Sequence, residues 1–245
     1  MTLLKIDDNL DALSQFLAIS RQDLDVYYQD LKAADSFLGE INAKIIGVES
    51  FDQKSFKHVN ELHLYRSLLY LITRVAKPSI FMETGVLNGF SSAFILLALE
   101  HNGSGKLISI DLPSVDPEIL NQGTGELPLG KKTGWVIPDS LRHRHSLHLG
   151  KSQELLPKLL TEEGSIDIFL HDSDHCYTHM MFELCLAYHF VSDGGWILSD
   201  NIEQNAAFSD FVRAAGARHY VASSYLQQTR IWQHGLMKVD KSLGH

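Results

Sequence analysis

The stretch between Ile166 and Asn201 restricts the possible folds more than any other part of this 245-residue chain. It begins with a short apolar run up to Leu170, which is typical of a strand buried on both faces. Five polar residues, His171 to His175, follow it, and a segment with helical spacing comes next. Asp193-Gly194-Gly195 is expected to turn the chain into a second apolar run, which ends at Asp200-Asn201. This order predicts two parallel strands joined by a helix, and therefore an α/β fold.

Polar residues stand at the ends of both predicted strands. The carboxyl ends of neighbouring parallel strands lie side by side, roughly 4.8 Å apart by sheet spacing. Asp172, Asp200 and Asn201 are therefore expected to converge on one point. Two carboxylates and a carboxamide oxygen form an oxygen-rich site that suits a divalent cation of the magnesium class.

Composition and charge narrow the function classes. A hydrophobic content of 44% is enough for the core of one α/β domain with a helical appendage. The net charge of -9 argues against partners such as nucleic acid or an anionic membrane, which attract clustered Lys and Arg. Neither a signal peptide nor an apolar run of membrane-spanning length is visible. Cys176 and Cys185 lie about 13 Å apart on one predicted helix, too far to bridge, so a cytoplasmic location is expected.

Residues 1–78 are predicted to be mainly helical, with breaks at Gly39 and Gly47, and they carry no recognisable chemical motif. We interpret them as a cap that packs on the sheet or on a second subunit in a homodimer. A lid over the acceptor pocket is the alternative. Residues 112–143 form a Pro- and Gly-rich insertion, which we interpret either as substrate-facing or as a purely structural excursion.

The alternating pattern begins at Ser79. Residues 80–82 are predicted to form a strand, Glu83 to Gly89 a turn, and 90–100 a helix, followed by a strand that ends before Asp111. This is the order of the first half of a nucleotide-binding fold. Leu87 and Phe90 stand where a dinucleotide fingerprint requires glycine, so the turn suits a ligand without phosphate, whose ribose Asp111 would bind. The alternative is that Gly85 and Gly89 only permit a tight turn.

The last strands complete this reading. A strand over residues 146–149 leads into the next helix. Ser152 either caps this helix or, together with Gln153, contacts an adenine ring. Two strands near 218–222 and 228–233 are expected to form a closing antiparallel hairpin. The fold class is therefore α/β, a Rossmann-like, doubly wound and mostly parallel seven-stranded sheet with an N-terminal helical extension.

Four signals in order, at residues 83–91, Asp111, 150–153 and 172–177 with Asp200-Asn201, resemble those of class I S-adenosylmethionine-dependent methyltransferases. The Asp-x-Asp-His-x-Tyr pattern that starts at Asp172 is most similar to that of bacterial sugar and macrolide O-methyltransferases. The pairing of Asp172 with Asp200-Asn201 is also similar to that of the metal-dependent catechol and caffeoyl-CoA O-methyltransferases, the catechol-type enzymes. The resemblance covers about residues 79–233, so residues 79–245 are expected to form the S-adenosylmethionine-binding domain.

Carried over residue by residue, the resemblance implies a cofactor site for S-adenosylmethionine formed by Glu83, Gly85, Gly89, Ser91, Asp111, Ser152, Gln153 and Asp172. It implies a metal site, for Mg²⁺, formed by Asp172, Asp200 and Asn201. His175 stands where the catechol-type enzymes keep a lysine, and the resemblance implies that it acts as the general base beside Asp172.

The resulting hypothesis is metal-assisted methyl transfer to a hydroxyl group of a small-molecule acceptor, which is a sugar, a natural product or a phenol. The alternatives are a metal-independent methyltransferase of the same fold and a non-enzymatic S-adenosylmethionine-binding protein. Ser173 interrupts the spacing of a binuclear metallohydrolase, whereas an oxygenase using His171, Asp174 and a distant histidine stays open. His234 is among the histidines expected to be surface or packing residues.

Overall fold

The computed structural model describes residues 9–48, 64–112, 127–227 and 230–243. The α-helices, numbered α1 to α8, are Leu10–Leu17, Arg21–Lys32, Asp35–Ile45, Leu64–Ala76, Phe90–Asn102, Ser152–Glu163, Tyr177–Phe190 and Ala207–Ala214. The strands, numbered β1 to β7, are Ile80–Thr84, Lys106–Asp111, His145–Leu149, Ile166–His171, Val191–Ser199, His219–Gln227 and Arg230–Lys238. Short 3₁₀ helices span Asp139–Arg144, Ile202–Gln204 and Lys241–Leu243.

The seven strands form one sheet in the order β3-β2-β1-β4-β5-β7-β6. The first five strands are parallel to one another, and β7 pairs antiparallel with both β5 and β6. This arrangement confirms the predicted fold class. The direction of strand succession changes between β1 and β4, so the carboxyl ends of these two strands form the crevice in which such sheets bind their ligands.

Two hydrophobic cores cover the two faces of the sheet. One contains residues of α1 to α5 packed against the apolar side chains of one sheet face, and the other contains residues of α6 to α8 on the opposite face. The N-terminal helices belong to the first core, where the ring of Phe16 packs edge-on against Trp196 with centroids 5.6 Å apart. In the described part of the N-terminal segment the helices pack on the sheet, while its role as a cap and the homodimer stay predictions.

Two predicted chain breaks are wrong in detail. Gly39 lies inside α3, where the buried side chains of Phe37, Ile41 and Ile45 hold the helix against the cost of an interior glycine. Asp193-Gly194-Gly195 lies within β5, and the pairing of β4 with β5 shifts register there, between Ile166 and Ile168. The glycines thus form an irregularity in a long strand instead of a turn before a short one.

The described part of the insertion, residues 127–143, is packed around Val136 and Ile137, which are fully buried, whereas Leu129 is fully exposed. Residues 113–126 of the predicted insertion lie outside the described residues. Both cysteines are free, as expected. Among the residues that the structure describes, no helix has the length and apolar character needed to cross a membrane.

Candidate active site

The turn after β1 touches the turn after β4 through backbone alone. Gly85 has a φ of 86°, and a Cβ atom added there would lie 1.9 Å from the carbonyl oxygen of Asp172. The backbone N–H of Asp172 donates to the carbonyl of Thr84 over 2.9 Å. Both the positive φ and the close approach therefore require glycine at position 85. This contact brings the predicted cofactor turn and the predicted metal ligand Asp172 together.

The described part of the insertion packs on the far end of the same turn. Gly89 has a φ of 90°, and an added Cβ would lie 2.8 Å from the Cα of Gly134. The N–H groups of Gly134 and Val136 donate to the carbonyls of Leu87 and Asn88 over 2.8 and 3.1 Å. Residues 134–136 therefore hold the turn from one side instead of extending freely toward a substrate.

Glu83 is a fully buried carboxyl group beneath the turn. The hydroxyl groups of Ser92 and Ser109 donate to its Oε1 over 2.5 and 2.6 Å. Its Oε2 has no hydrogen-bond partner among the described residues. Burial raises the pKa of Glu83 to about 7, and the two serine hydrogen bonds only partly oppose this effect. Ser91, predicted as its neighbour in the site, is partly exposed at the start of α5.

Asp111, the last residue of β2, binds the same turn from below. Its Oδ1 accepts from the N–H groups of Val86 and Leu87 over 2.8 and 3.2 Å, and Thr133 donates to Oδ2 over 2.9 Å. Burial raises the pKa of Asp111, and these hydrogen bonds oppose the rise. A carboxylate has about four lone-pair sites, so these three bonds leave room for a hydroxyl donor.

Ser152 and Gln153 begin α6 beside the end of β3, next to Asp111 in the sheet register. The N-cap position of α6 is occupied by Lys151 and not by Ser152, so the capping interpretation is wrong. Both side chains instead contact His179 of α7. Ser152 Oγ lies 3.1 Å from His179 Nε2, and Gln153 Nε2 lies 3.0 Å from His179 Nδ1.

The acidic residues after β4 and β5 converge as predicted. His171 pairs with Ser199 at the ends of the two strands, and the N–H of Asp200 donates to the carbonyl of His171 over 2.9 Å. Asp172, His175 and Asp200 each offer a ligand atom, and these atoms lie within 4.8 Å of one another. The structure thus joins Asp172 and Asp200 in one cluster, whose third member is His175.

Asp172 and Asp200 carry oxygen atoms within 4.8 Å of each other, so the charge of one affects the protonation of the other. Burial raises the pKa of Asp172, and the negative charge of Asp200 raises it further, well above its ordinary value. Burial also opposes the ionisation of Asp200, but His234 outweighs it and lowers the pKa of Asp200 to about 2. Tyr65 donates from its hydroxyl group to Asp172 Oδ2 over 3.0 Å. Asp200 is therefore the ionised member of the pair.

His234 lies in the site, which the sequence did not predict. It is 3% exposed, its Nδ1 contacts Asp200 Oδ1, and its ring stacks on Tyr65 with centroids 4.3 Å apart. It reaches the site because β5 and β7 pair Ser199 with Gly235, which places the preceding residue beside Asp200. His234 is therefore a packing residue and not a surface residue, and its contact with Asp200 was not predicted.

Asn201 follows Asp200 in the chain, and its carboxamide nitrogen contacts Glu203. It has a left-handed backbone with φ 47°, and its Nδ2 donates to Glu203 Oε1 over 3.3 Å. Its role as a metal ligand stays a prediction.

His175 places a buried ring nitrogen in the site. Its Nε2 lies 3.9 Å from Asp172 Oδ1 and has no hydrogen-bond partner among the described residues. Burial lowers the pKa of His175, and the neighbouring His171 lowers it further. The neutral imidazole is thus the favoured form at neutral pH, as a proton acceptor requires.

A family model described as a methyltransferase domain matches residues 82–202. This chain carries a class I methyltransferase domain. The matched range contains the glycine turn, Asp111 and both acidic strand ends. No protein with curated annotation matches the sequence significantly.

Solved structures of methyltransferases share the fold of this methyltransferase domain. A putative O-methyltransferase from Klebsiella pneumoniae is 14% identical, with a TM-score of 0.54 over 84% of this chain and 89% of that one. The O-methyltransferase TomG from Streptomyces achromogenes, solved in complex with S-adenosylmethionine, is 15% identical, with a TM-score of 0.55 over 82% and 95%. An O-methyltransferase from Bacillus cereus is 13% identical, with a TM-score of 0.53 over 83% and 91%.

A buried glutamate organises the methyltransferase site from beneath and was missed. Glu183 of α7 is fully buried and accepts hydrogen bonds from four side chains: Thr84, His171, Ser173 and His179. These residues come from the ends of β1 and β4, the following turn and α7. The available signal was the spacing of His179 and Glu183, four residues apart in a helix with no other acidic residue.

Proposed function

We propose that this protein is an S-adenosylmethionine-dependent O-methyltransferase that acts on a hydroxyl group of a small molecule. The observation that carries the proposal is the convergence of Asp172, His175 and Asp200 within 4.8 Å, beside the turn that starts at Gly85. Two similar structures support the cofactor and the reaction class, since one O-methyltransferase was solved in complex with S-adenosylmethionine and another with its demethylated product.

In this proposal the cofactor lies across the ends of β1 to β3. The unpartnered Oε2 of Glu83 suits the ammonium group of the cofactor's methionine part, which Gly85, Gly89 and Ser91 of the same turn would border. Asp111 binds the ribose hydroxyls through its remaining lone pairs. Ser152 and Gln153 contact the adenine ring, and Asp172 borders the methionine end.

The acid pair fits a divalent cation. Two partly buried carboxylates this close together are unfavourable when both are ionised without added positive charge, and the raised pKa of Asp172 keeps a proton on that group. A divalent cation can replace that proton, held by Asp172 and Asp200 with Asn201 as a further oxygen donor. When bound, a divalent cation lowers the pKa of a chelated hydroxyl group.

His175 serves as the general base. Its Nε2 takes the proton of the acceptor hydroxyl while the oxygen forms a bond to the cofactor's methyl carbon and the carbon–sulfur bond breaks. The products are the methyl ether, S-adenosylhomocysteine and one proton on the imidazole, which is released to water. The ionised Asp200 is close enough to His175 to favour its charged form, so it stabilises the imidazolium that forms.

The test is transfer of a labelled methyl group from S-adenosylmethionine to a panel of hydroxylated acceptors, namely sugars, catechols and aliphatic polyols. Labelled product is expected with Mg²⁺ and not after His175→Asn. A separate titration of Mn²⁺, followed by its paramagnetic signal, is expected to show one site that Asp200→Asn removes. Cofactor binding without labelled product from any acceptor class would contradict the transferase.

A second candidate is a metal-independent methyltransferase of the same fold. The contact of His234 with Asp200 favours it, because this contact already helps to stabilise the ionised form of Asp200 without a cation. The two candidates differ in one result: full turnover in the presence of a chelator supports the metal-independent enzyme and excludes the cation role.

A further inference from the structure

We propose that His179, held by Glu183, sets the hydrogen-bond polarity of Gln153 and thereby determines which purine the cofactor pocket accepts. This inference rests on the proposed function, in which Gln153 meets the purine ring of the cofactor. It assigns a specificity role to a histidine that lies outside the proposed reaction.

Glu183 determines which nitrogen of His179 carries a proton. Its Oε1 lies 2.8 Å from His179 Nε2, and an ionised carboxylate can only accept hydrogen bonds. Burial alone would raise the pKa of Glu183, but the hydrogen bonds from His171 and His179 outweigh it and hold that pKa far below its ordinary value. Because Glu183 stays ionised, Nε2 of His179 is the donor in this contact.

The other ring nitrogen then determines how Gln153 is oriented. In neutral His179 with the proton on Nε2, Nδ1 has a lone pair and accepts a hydrogen bond. The carboxamide nitrogen of Gln153 lies 3.0 Å from Nδ1 and is the donor. Its oxygen, at the opposite side of the carboxamide, is left for a ligand. Gln153 is exposed at the end of β3, whereas the His179 ring is buried.

An outward-facing oxygen at this position selects adenine. The 6-amino group of adenine donates a hydrogen bond to such an oxygen, whereas the 6-carbonyl of hypoxanthine would face it with a second acceptor. A site built to hydrogen-bond one group rejects the analogue that lacks it, because its own polar atom is then left without a partner.

A second proton on His179 reverses this preference. Nδ1 then becomes a donor, the carboxamide of Gln153 turns over, and its NH₂ group faces the ligand. The charged or titratable groups that face His179 are Glu183 on its own helix, Asp174 in the turn after β4 and His171 of β4, whose ring centroid lies 6.2 Å away. From α6, Ser152 and Gln153 reach it, and neither titrates. Burial lowers the pKa of His179, but Glu183 outweighs it, so the net shift is upward.

The experiment compares the affinities of S-adenosylhomocysteine and S-inosylhomocysteine by calorimetry, with the full-length protein at about pH 8.5 and about pH 6. Wild type is expected to bind the adenosine compound at least about tenfold more tightly at the higher pH, as one lost hydrogen bond predicts. The ratio of the two affinities is expected to fall several-fold at the lower pH.

Two variants of His179 distinguish an effect on the hydrogen-bond polarity of Gln153 from a general loss of folding. His179→Leu removes the acceptor and is expected to bring the affinity ratio close to one at both pH values. His179→Asn keeps an acceptor that does not titrate, so part of the preference is expected to remain without its pH dependence. His189→Asn, a histidine exposed on the same helix, is the matched control and is expected to keep the wild-type ratio at each pH.

An equal affinity of wild type for both compounds would overturn the inference and leave the cofactor proposal standing. The same holds for a ratio that survives His179→Leu unchanged in a folded variant. Failure of wild type to bind either compound would refute the proposed cofactor site itself, and the inference with it.

Discussion

Replacing Glu83 with glutamine tests whether a buried carboxyl group with a raised pKa lies beneath the proposed cofactor turn. Burial raises the pKa of Glu83 from its ordinary 4.5 to about 7. In this direction the folded state binds the proton more tightly than the unfolded chain does. Stability from this group is therefore complete below the ordinary pKa and is lost as the pH rises to about 7.

The magnitude follows from the size of the shift. At about 1.4 kcal/mol per pKa unit, the ionised side chain costs the fold about 3 kcal/mol above neutral pH. Between about pH 5 and pH 8, wild type is therefore expected to lose 2 to 3 kcal/mol more stability than Glu83→Gln does. Glutamine has the shape of the acid and can still accept the hydrogen bonds from Ser92 and Ser109.

The assay is urea unfolding of both proteins at several pH values, without cofactor. The decisive quantity is the slope of the unfolding free energy against pH. An unpaired buried amide in the variant lowers its unfolding free energy by the same amount at every pH and does not change this slope. Parallel curves for the two proteins would refute the reasoning. The same variant is expected to bind S-adenosylmethionine more weakly, because the anionic partner of the ammonium group is lost.

Further predictions concern the turns and the base. Gly85→Ala is expected to destabilise the fold by at least about 2 kcal/mol in urea unfolding, because the added Cβ meets the carbonyl of Asp172. Gly103→Ala, at φ 71° with open space around it, is the matched control, and an equal loss there would contradict the steric argument. His175→Asn is expected to lower turnover by about 10²-fold or more while S-adenosylmethionine still binds, as shown by labelled-methyl transfer and calorimetry. Because burial lowers the pKa of His175, the acid limb of the wild-type kcat/KM profile is expected below the ordinary histidine pKa, and a midpoint above it would contradict the assignment.

The sheet and the meeting of Asp172 with Asp200 could be predicted because both depend on local pattern. Apolar runs that end in polar residues locate the carboxyl edge of a parallel sheet, and neighbouring strands bring those ends together. The contact of Gly85 with Asp172 follows from the same order of strands, although its closeness is visible only in three dimensions.

His234 could not be placed because its position depends on the register of the closing hairpin. The predicted strand ended at residue 233, whereas β7 continues to Lys238 and pairs Gly235 with Ser199. Glu183 was missed partly for a related reason, since its partner Thr84 lies 99 residues away in the chain, whereas His171, Ser173 and His179 lie within 12 residues of it. Neither propensity nor spacing carries such long-range information.

The side-chain direction of Asn201 could not be predicted from the sequence either. The sequence Asp200-Asn201 predicts two adjacent ligands, but residue 201 adopts a left-handed backbone and its amide nitrogen turns to Glu203. Asparagine tolerates this conformation better than most residues, and the side-chain direction follows from it. A pattern of residue types does not encode that choice.

The most direct test of the account is calorimetric titration of S-adenosylmethionine into wild type and Asp111→Asn, with Mg²⁺ and with chelator. We predict one site per chain in wild type under both conditions and an affinity lowered at least about tenfold in the variant, which loses charge-assisted hydrogen bonds to the ribose. The absence of binding to wild type under both conditions would contradict the proposed cofactor site and with it the methyltransferase reaction.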